Sequence, residues 1–181
     1  MKLVGNHVYI RFLQESDANA LLDLHVRNRD FFQHYLPLRD DSYFTLESQL
    51  SIIQQANEKR KQDQAYSFGI FLKETNELIG NVALTEVLRA PFLLSCYIGY
   101  YLDQKHNGKG YMTEAVTLAV KFAFDELKLH RIEAGVMPHN IRSIRVLEKA
   151  GFQKEGIARK SVKINGKWED HQILAIINEN E

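Results

Sequence analysis

A glycine-rich loop is the segment of this chain whose residue types and spacing best suit the binding of a charged ligand. It reads Gln104-Lys105-His106-Asn107-Gly108-Lys109-Gly110-Tyr111-Met112-Thr113 and joins an apolar segment to an amphipathic one. Two glycines one residue apart at a helix start expose backbone N–H groups, and the positive end of the helix dipole adds to their field. The loop is therefore predicted to bind an anion, most often a phosphate or pyrophosphate group.

Two known phosphate-binding patterns do not fit this loop. A Walker loop has a first glycine separated by four residues from Gly-Lys and a Ser or Thr after Gly-Lys, but Asp103 and Gly110 occupy those positions. A dinucleotide-binding fingerprint needs a third glycine, whose place Thr113 takes. A nest of backbone N–H groups for pyrophosphate remains, with an ordinary turn as the alternative that the loop alone leaves open.

Hydrophobic periodicity predicts the elements that must hold this loop in place. Seven strands are expected, over residues 7–13, 66–73, 78–87, 93–102, 131–137, 153–164 and 167–177. About four helices are expected, two beginning near Ser16 and Thr45 and two over residues 109–127 and 140–150. Asn165-Gly166 between the last two strands is a strong hairpin signal. This order predicts an α/β or α+β fold with a partly antiparallel sheet, in a single domain over residues 1–181.

Composition argues against several classes of function. The chain has 23 Lys plus Arg and 23 Asp plus Glu, so no overall basic field favours nucleic acid. No apolar run approaches the roughly 20 residues of a membrane span, and the first seven residues do not resemble a secretory signal. The single cysteine, Cys96, excludes an internal disulfide and suits a reducing compartment, and it is expected to be buried and inert. We therefore expect a soluble cytoplasmic protein, and its oligomeric state is not readable from the sequence.

No metal site is predicted. The seven histidines show no His-x-x-x-His spacing, and the lone cysteine offers no cluster of ligands.

Four segments, in the same order along the chain, resemble the acetyl-CoA-dependent N-acetyltransferases of the GNAT superfamily. They are the loop 104–113, the helix start Tyr111-Met112-Thr113-Glu114-Ala115, Asn140-x-x-Ser143, and Leu147-Glu148-Lys149-Ala150-Gly151-Phe152. Within the superfamily the chain is most similar to the Rim-type ribosomal-protein-alanine N-acetyltransferases. That finer resemblance is carried by Cys96-Tyr97-Ile98-Gly99-Tyr100, Gln104-Lys105, Met137-Pro138-His139-Asn140 and Asn165-Gly166-Lys167-Trp168-Glu169-Asp170-His171. It covers residues 7–177.

The resemblance implies a mixed, mostly antiparallel sheet of seven strands that splays open between its fourth and fifth strands, with acetyl-CoA in the gap. Backbone groups of Tyr101 and Leu102 would pair with the pantetheine arm, and a backbone N–H there would hold the thioester oxygen as charge develops on it. The pyrophosphate would lie on Lys105, His106, Asn107, Gly108, Lys109, Gly110, Tyr111 and Met112. The superfamily usually has Gln or Arg where this chain has Lys105, a small departure because the loop binds chiefly through its main chain.

Two further contacts to coenzyme A are implied by the resemblance. Asn140 is expected to bond the pantetheine arm, and Arg145 is expected either to meet a phosphate or to remain solvated.

The resemblance also implies a proton donor for the departing thiolate. Many relatives use a tyrosine on the helix after the fifth strand, but residues 140–151 contain none. Ser143 is the only hydroxyl there, and the serine at this position of the Rim-type enzymes is the proposed acid. The alternative for Ser143 is a residue that only caps the helix.

Two carboxylates are candidates for the group that accepts the amine proton. Relatives often carry Glu before the Ile-Gly-Tyr of the fourth strand, where this chain has Tyr97. Glu86 near the end of the third strand and Glu133 on the fifth are the remaining candidates, and for each the alternative is a solvated edge residue. His139 is expected to make a loop contact instead.

The absence of an obvious base bears on the acceptor. An α-amine of pKa ~7.8 is about one-fifth neutral near pH ~7.2, whereas a lysine amine of pKa ~10.4 is under ~0.1% neutral. A protein N-terminus, as in a ribosomal protein with N-terminal alanine, therefore fits this chain best. A polyamine, amino sugar or antibiotic acceptor remains open, as does a coenzyme A-sensing module without turnover, which Tyr97 alone supports.

Overall fold

The computed structural model describes residues 1–180, and its centre is one mixed β-sheet. The strands are β1 Lys2–Val4, β2 Val8–Phe12, β3 Tyr66–Leu72, β4 Leu78–Ala90, β5 Leu93–Leu102, β6 Arg131–Val136, β7 Gln153–Ile164 and β8 Lys167–Ile177. They lie in the order β1-β2-β3-β4-β5-β6-β8-β7. Only β5 and β6 pair in parallel; the other neighbours are antiparallel.

Helices cover both faces of the sheet. They are α1 Ala18–Arg27, α2 Arg29–Phe32, α3 Leu46–Lys61, α4 Tyr111–Asp125 and α5 Ile141–Lys149, with single 3-10 turns at Glu15–Asp17, Asp41–Tyr43 and Gln104–His106. Within residues 1–180 no helix is both long and apolar enough to cross a lipid bilayer.

The core has two parts, one on each face of the sheet. On the first face α4 buries a stripe that includes Met112, Ala115 and Ala119, at the spacing of an amphipathic helix. Ile144 and Leu147 of α5 belong to the same part of the core. On the second face Leu21 of α1 and Ile53 of α3 pack against the sheet. Alternate residues of each strand serve the two faces.

The expected mixed α/β fold is confirmed, and the count of elements differs. β1 was not predicted because it has only three residues, of which two are exposed. α2 and the 3-10 turns have four residues or fewer, too short for a periodic pattern. Residues 1–180 therefore form a sheet of eight strands rather than the seven predicted. They also form five α-helices rather than about four.

Most element bounds lie close to the predicted ones. β7 and β8 coincide with 153–164 and 167–177, and α4 and α5 are shorter at both ends than predicted. β4 continues to Ala90, beyond the expected residue 87, through a bulge in which Glu86 has φ +51°. The bulge lets the register with β5 resume at Leu88↔Ser95, so the strand is not broken there.

Cys96 is buried in the core beneath α4, as expected. Burial raises the pKa of its thiol to about 12, so the thiol is not a nucleophile at neutral pH.

Candidate active site

The parallel strands β5 and β6 separate along their length. They pair only at Ser95↔Arg131, Cys96↔Ile132 and Tyr97↔Glu133. Beyond that point β5 stays with β4 as far as Leu102, and β6 stays with β8 as far as Val136. The backbone of β5 after Tyr97 therefore faces a gap where a neighbouring strand would otherwise lie. This is the splay expected between segments 93–102 and 131–137.

A cleft of about 290 Å³ occupies this gap. Its walls come from β5 residues 98–102, β6 residues 134–136, Asn107 and Met112 of the glycine loop, and α5 with Asn140, Arg142 and Ser143. Aromatic side chains of α2 and the following turn, Phe31, Phe32 and Tyr35, close the remaining side. Among these wall residues there is no aspartate or glutamate.

The glycine loop begins with a 3-10 turn and ends at α4. Gly108 and Gly110 have φ +79° and +82°, and a Cβ at either position would meet nothing within 4 Å. The backbone conformation, not crowding, therefore requires glycine. Gly110 precedes α4, and no side chain caps that helix. The first N–H groups of α4 are therefore available to an anion at an open surface.

Three buried polar atoms in the loop make no hydrogen bond within residues 1–180, although His106 Nε2 lies 3.6 Å from Oε2 of Glu77. They are Nδ2 of Asn107 and both ring nitrogens of His106. Burial lowers the pKa of His106, so its ring is neutral near pH 7. A buried unpaired donor is costly unless a ligand satisfies it, and Asn107 lies in the cleft wall. The loop therefore suits a ligand that is rich in acceptor oxygens, as the phosphates and pantetheine amides of coenzyme A are.

The other predicted loop residues lie in different surroundings. Lys109 is exposed, Tyr111 packs between the rings of His7 and His106, and Met112 is buried at the edge of the cleft. Lys105 places its Nζ 3.1 Å from Oε1 of Glu77, so its side chain is held away as an ion pair.

Glu77, Asp103 and His106 place their ligand-type atoms within 4.8 Å of one another, a grouping that the sequence did not indicate. Arg27 Nε lies 2.8 Å from Asp103 Oδ2, and Lys105 is paired with Glu77. Two cations thus already neutralise the two carboxylates, and a metal ion would have to displace them. The absence of a metal site stays a prediction.

Ser143 contacts a tyrosine that comes from β5. The hydroxyl of Tyr100 lies 2.7 Å from Ser143 Oγ and 3.1 Å from the Ser143 carbonyl oxygen. Burial raises the pKa of Tyr100 to about 12, so the phenol keeps its proton at neutral pH. A tyrosine from β5, rather than one within residues 140–151, thus contacts this turn of α5. The sequence did contain a signal for this contact: Tyr100 is an inward-facing residue of β5, and a buried tyrosine hydroxyl needs a hydrogen-bond partner.

Asn140 and Arg145 differ in their distance from the cleft. Asn140 Oδ1 accepts a hydrogen bond from the Ser143 N–H at 3.4 Å and caps α5, while the residue also lies in the cleft wall. Arg145 is exposed and lies outside the cleft wall. The arginine of α5 that does lie in the wall is Arg142.

Neither candidate carboxylate lies in the cleft wall. Glu133 stands beside Tyr97 at the last paired position of β5 and β6, and Arg131 Nη2 lies 3.3 Å from its Oε1. The charge of Glu133 is the main cause that raises the pKa of Tyr97. Glu86 is exposed in the β4 bulge. The structure groups these residues near the closed end of the gap.

His171 of β8 lies in the cleft wall and is only 8% exposed. It entered the sequence analysis only within the closing segment of the resemblance. His171 reaches the cleft because β8 pairs with β6. A pairing between strands distant in sequence has no local sequence pattern, so the sequence did not predict this position.

The first-helix side of the cleft is aromatic and uncharged. His25 of α1 is buried, and Tyr101 Oη lies 3.1 Å from its Nε2. Burial, helped by the charge of Arg39, lowers the pKa of His25 to about 4, so the ring is neutral near pH 7. Burial also raises the pKa of Tyr101. A smaller cavity of about 140 Å³ adjoins the cleft and shares Phe32, Leu36 and Tyr101 with it.

Comparisons with known proteins agree with this geometry. Residues 7–153 match the family model described as the acetyltransferase (GNAT) domain. The chain is 55% identical over 179 residues to the probable N-acetyltransferase YjcK of Bacillus subtilis, covering 99% of this chain and 98% of that one.

Two solved structures share the fold closely. The ribosomal-protein-S5-alanine acetyltransferase of Vibrio fischeri superposes with a TM-score of 0.92 at 34% identity, covering 99% of this chain and 98% of the other. RimJ of Mycobacterium smegmatis, solved in complex with CoA-disulfide, superposes with a TM-score of 0.89 at 28% identity, covering 95% and 82%. Sequence, splayed strands and glycine loop therefore agree, and the chain is an N-acetyltransferase that belongs to the GNAT family.

Proposed function

We propose that this enzyme transfers an acetyl group from acetyl-CoA to the N-terminal α-amine of a protein, of the ribosomal-protein-alanine type. The observation that carries the proposal is the lack of any carboxylate among the residues of the cleft wall. A polyamine or an amino sugar with several cationic groups would enter that wall without a counter-charge, which costs free energy. A peptide N-terminus brings one amine and an otherwise polar or apolar chain. The 34% identity to an S5-alanine acetyltransferase supports the same acceptor class.

The donor side of the cleft suits acetyl-CoA, which supplies the acetyl group as an activated thioester. The uncapped start of α4 and the two glycines would hold the pyrophosphate. Backbone groups of Tyr101 and Leu102, on the part of β5 that β6 leaves unpaired, would hold the pantetheine arm as an added strand does.

Ser143 would supply the proton that the departing thiolate takes. The one hydrogen of the Tyr100 hydroxyl is donated to the Ser143 carbonyl oxygen, so Ser143 Oγ donates its own hydrogen to Tyr100 Oη and would have to turn from Tyr100 towards the sulfur as the thiolate leaves. The predicted roles of Glu86 and Glu133 as bases stay predictions, without a position in the wall to support them.

Two wider predictions accompany this proposal. The first is that the chain is a single domain, which the one sheet through all eight strands supports. The second is a location in the cytoplasm, with which a buried, unreactive Cys96 is compatible.

A screen of acceptor amines with release of the coenzyme A thiol as readout tests the function. Alanyl peptides with the N-terminal sequences of ribosomal proteins should be turned over, and the same peptides with a blocked α-amine should not, even when they contain lysine. Spermidine and amino sugars are the comparison acceptors. Faster turnover of spermidine than of every peptide would contradict the proposal.

A further inference from the structure

His171 and Ser143 approach the cleft from opposite faces of the sheet. Ile173 lies directly across from Gly135 on β6, so His171, two residues earlier on β8, is on the same face as Gly135. Tyr100 and Ser143 lie on the other face, beneath α5. Acetyl transfer removes a proton from the amine and delivers one to the departing sulfur, and the cleft has one polar side chain on each face of the sheet for these two steps.

The hydrogen bond of the His171 ring determines its tautomer. Nδ1 lies 3.2 Å from the carbonyl oxygen of Glu169, and a carbonyl can only accept. Nδ1 therefore carries the hydrogen, and the neutral ring has its lone pair on Nε2. The hydrogen bonds within residues 1–180 include none to Nε2. That nitrogen is consequently free to accept a proton.

Two glycines leave room on this face of the gap. A Cβ on Gly135 would lie 3.6 Å from His171 Cδ2, the atom bonded to Nε2, and would take the space next to it. Gly99 is in line with Gly135, because Tyr97 and Glu133 are paired two residues earlier on each strand. A Cβ at Gly99 would meet nothing within 4 Å, so the space between β5 and the imidazole is open.

We propose that Nε2 of His171 accepts the proton that the acceptor amine loses during acetyl transfer. This inference rests on the proposed function, because it assigns the amine side of the same cleft. As the neutral amine nitrogen bonds to the acetyl carbon and the carbon–sulfur bond breaks, one N–H proton passes to Nε2. The sulfur leaves with the electron pair and takes a proton through Ser143 Oγ, and solvent returns both groups to their starting states.

Kinetics of His171→Ala and His171→Gln, with the best acceptor from the screen, test this role. Both variants should lose about 100-fold in kcat/KM, the usual worth of a positioned general base, while the Kd for acetyl-CoA changes less than twofold. Added imidazole should restore part of the rate of His171→Ala and should not affect the wild type. His139→Gln, an exposed histidine on the loop before α5, is the matched control and should retain full activity.

Three results would overturn the inference. One is a loss below threefold in His171→Ala. Another is full activity of His171→Gln, because glutamine can hydrogen-bond but cannot take up the proton. The third is a loss that imidazole does not restore and that is accompanied by weaker acetyl-CoA binding, since this would indicate a structural role. If spermidine proves the better acceptor, the proposed function fails, yet the same variants assayed with spermidine still decide the role of His171.

Discussion

The hydroxyl of Tyr100 lies 2.7 Å from Oγ of Ser143 and joins the C-terminal part of β5 to the first turn of α5. Residue 143 is therefore more than a helix-capping serine, because Asn140 already caps α5. With the pKa of Tyr100 raised to about 12, the pair holds its protons throughout the neutral range.

Removing either hydroxyl should slow acetyl transfer, and the two effects should not add. We expect Ser143→Ala to lower kcat by about 100-fold, the usual scale for a general acid, and Tyr100→Phe by less because water can replace its support. The double variant should be no slower than Ser143→Ala, since both residues act as one unit. Tyr97→Phe, which removes a half-exposed hydroxyl outside the cleft wall, is the matched control. Rates of Ser143→Ala within twofold of wild type would refute the assignment.

The loop glycines should affect both stability and coenzyme binding, and a hairpin glycine should affect stability alone. Gly110 has φ +82° and Gly166 has φ +84°, and neither is crowded. Alanine at either position should cost about 1–2 kcal/mol of unfolding free energy through backbone strain. Only Gly110→Ala should also weaken the binding of acetyl-CoA, raising its Kd tenfold or more. Calorimetry measures this Kd, and denaturant unfolding measures the stability of both variants. Equal Kd values for the two variants would argue against the loop as the pyrophosphate site.

The sequence predicted those parts of the fold and site that depend on local pattern. Asn165-Gly166 located the β7–β8 hairpin, and the glycine loop located the start of α4, because turn chemistry and helix spacing are short-range properties. Tyr100 and His171 were not identified, since their roles follow from which strands neighbour β5 and β6. Pairing between strands distant in sequence has no local signal. For the same reason Glu86 and Glu133 looked as suitable as any other carboxylate.

The buried carboxylate of Asp103 should make Arg27 important for stability. Arg27 Nε lies 2.8 Å from Asp103 Oδ2, and the Asp103 side chain is only 4% exposed. Arg27→Met keeps much of the packing but leaves this carboxylate without its cation, so a loss of about 1–3 kcal/mol is expected. Asp41→Asn breaks the pair between Arg29 and the 95% exposed Asp41 but leaves Arg29 on the Phe44 ring, and it should cost under about 0.5 kcal/mol. Denaturant titration of both variants makes the comparison, and similar losses would show that burial of Asp103 is unimportant.

His25 should make the protein less stable as the pH falls from 6.5 towards 4. Burial lowers the pKa of His25 to about 4, whereas the unfolded chain has the ordinary value of 6.5. Between these values the unfolded state binds more protons, so the free energy of unfolding rises with pH. The stabilisation is complete above pH 6.5 and is lost on acidification, amounting to about 3 kcal/mol at most, from ~1.4 kcal/mol per pKa unit.

Comparison with His25→Gln isolates this contribution. The pKa values of Asp17 and Glu114 are also lowered, but those carboxyl groups lose their stabilisation at a lower pH and do so in both proteins. Glutamine can still form a hydrogen bond with Tyr101, as donor or acceptor, and it does not titrate. The difference in unfolding free energy between wild type and variant should therefore shrink steadily between pH 6.5 and 4. A constant difference over that range would mean that His25 is charged, or equally accessible to protons, in the folded protein.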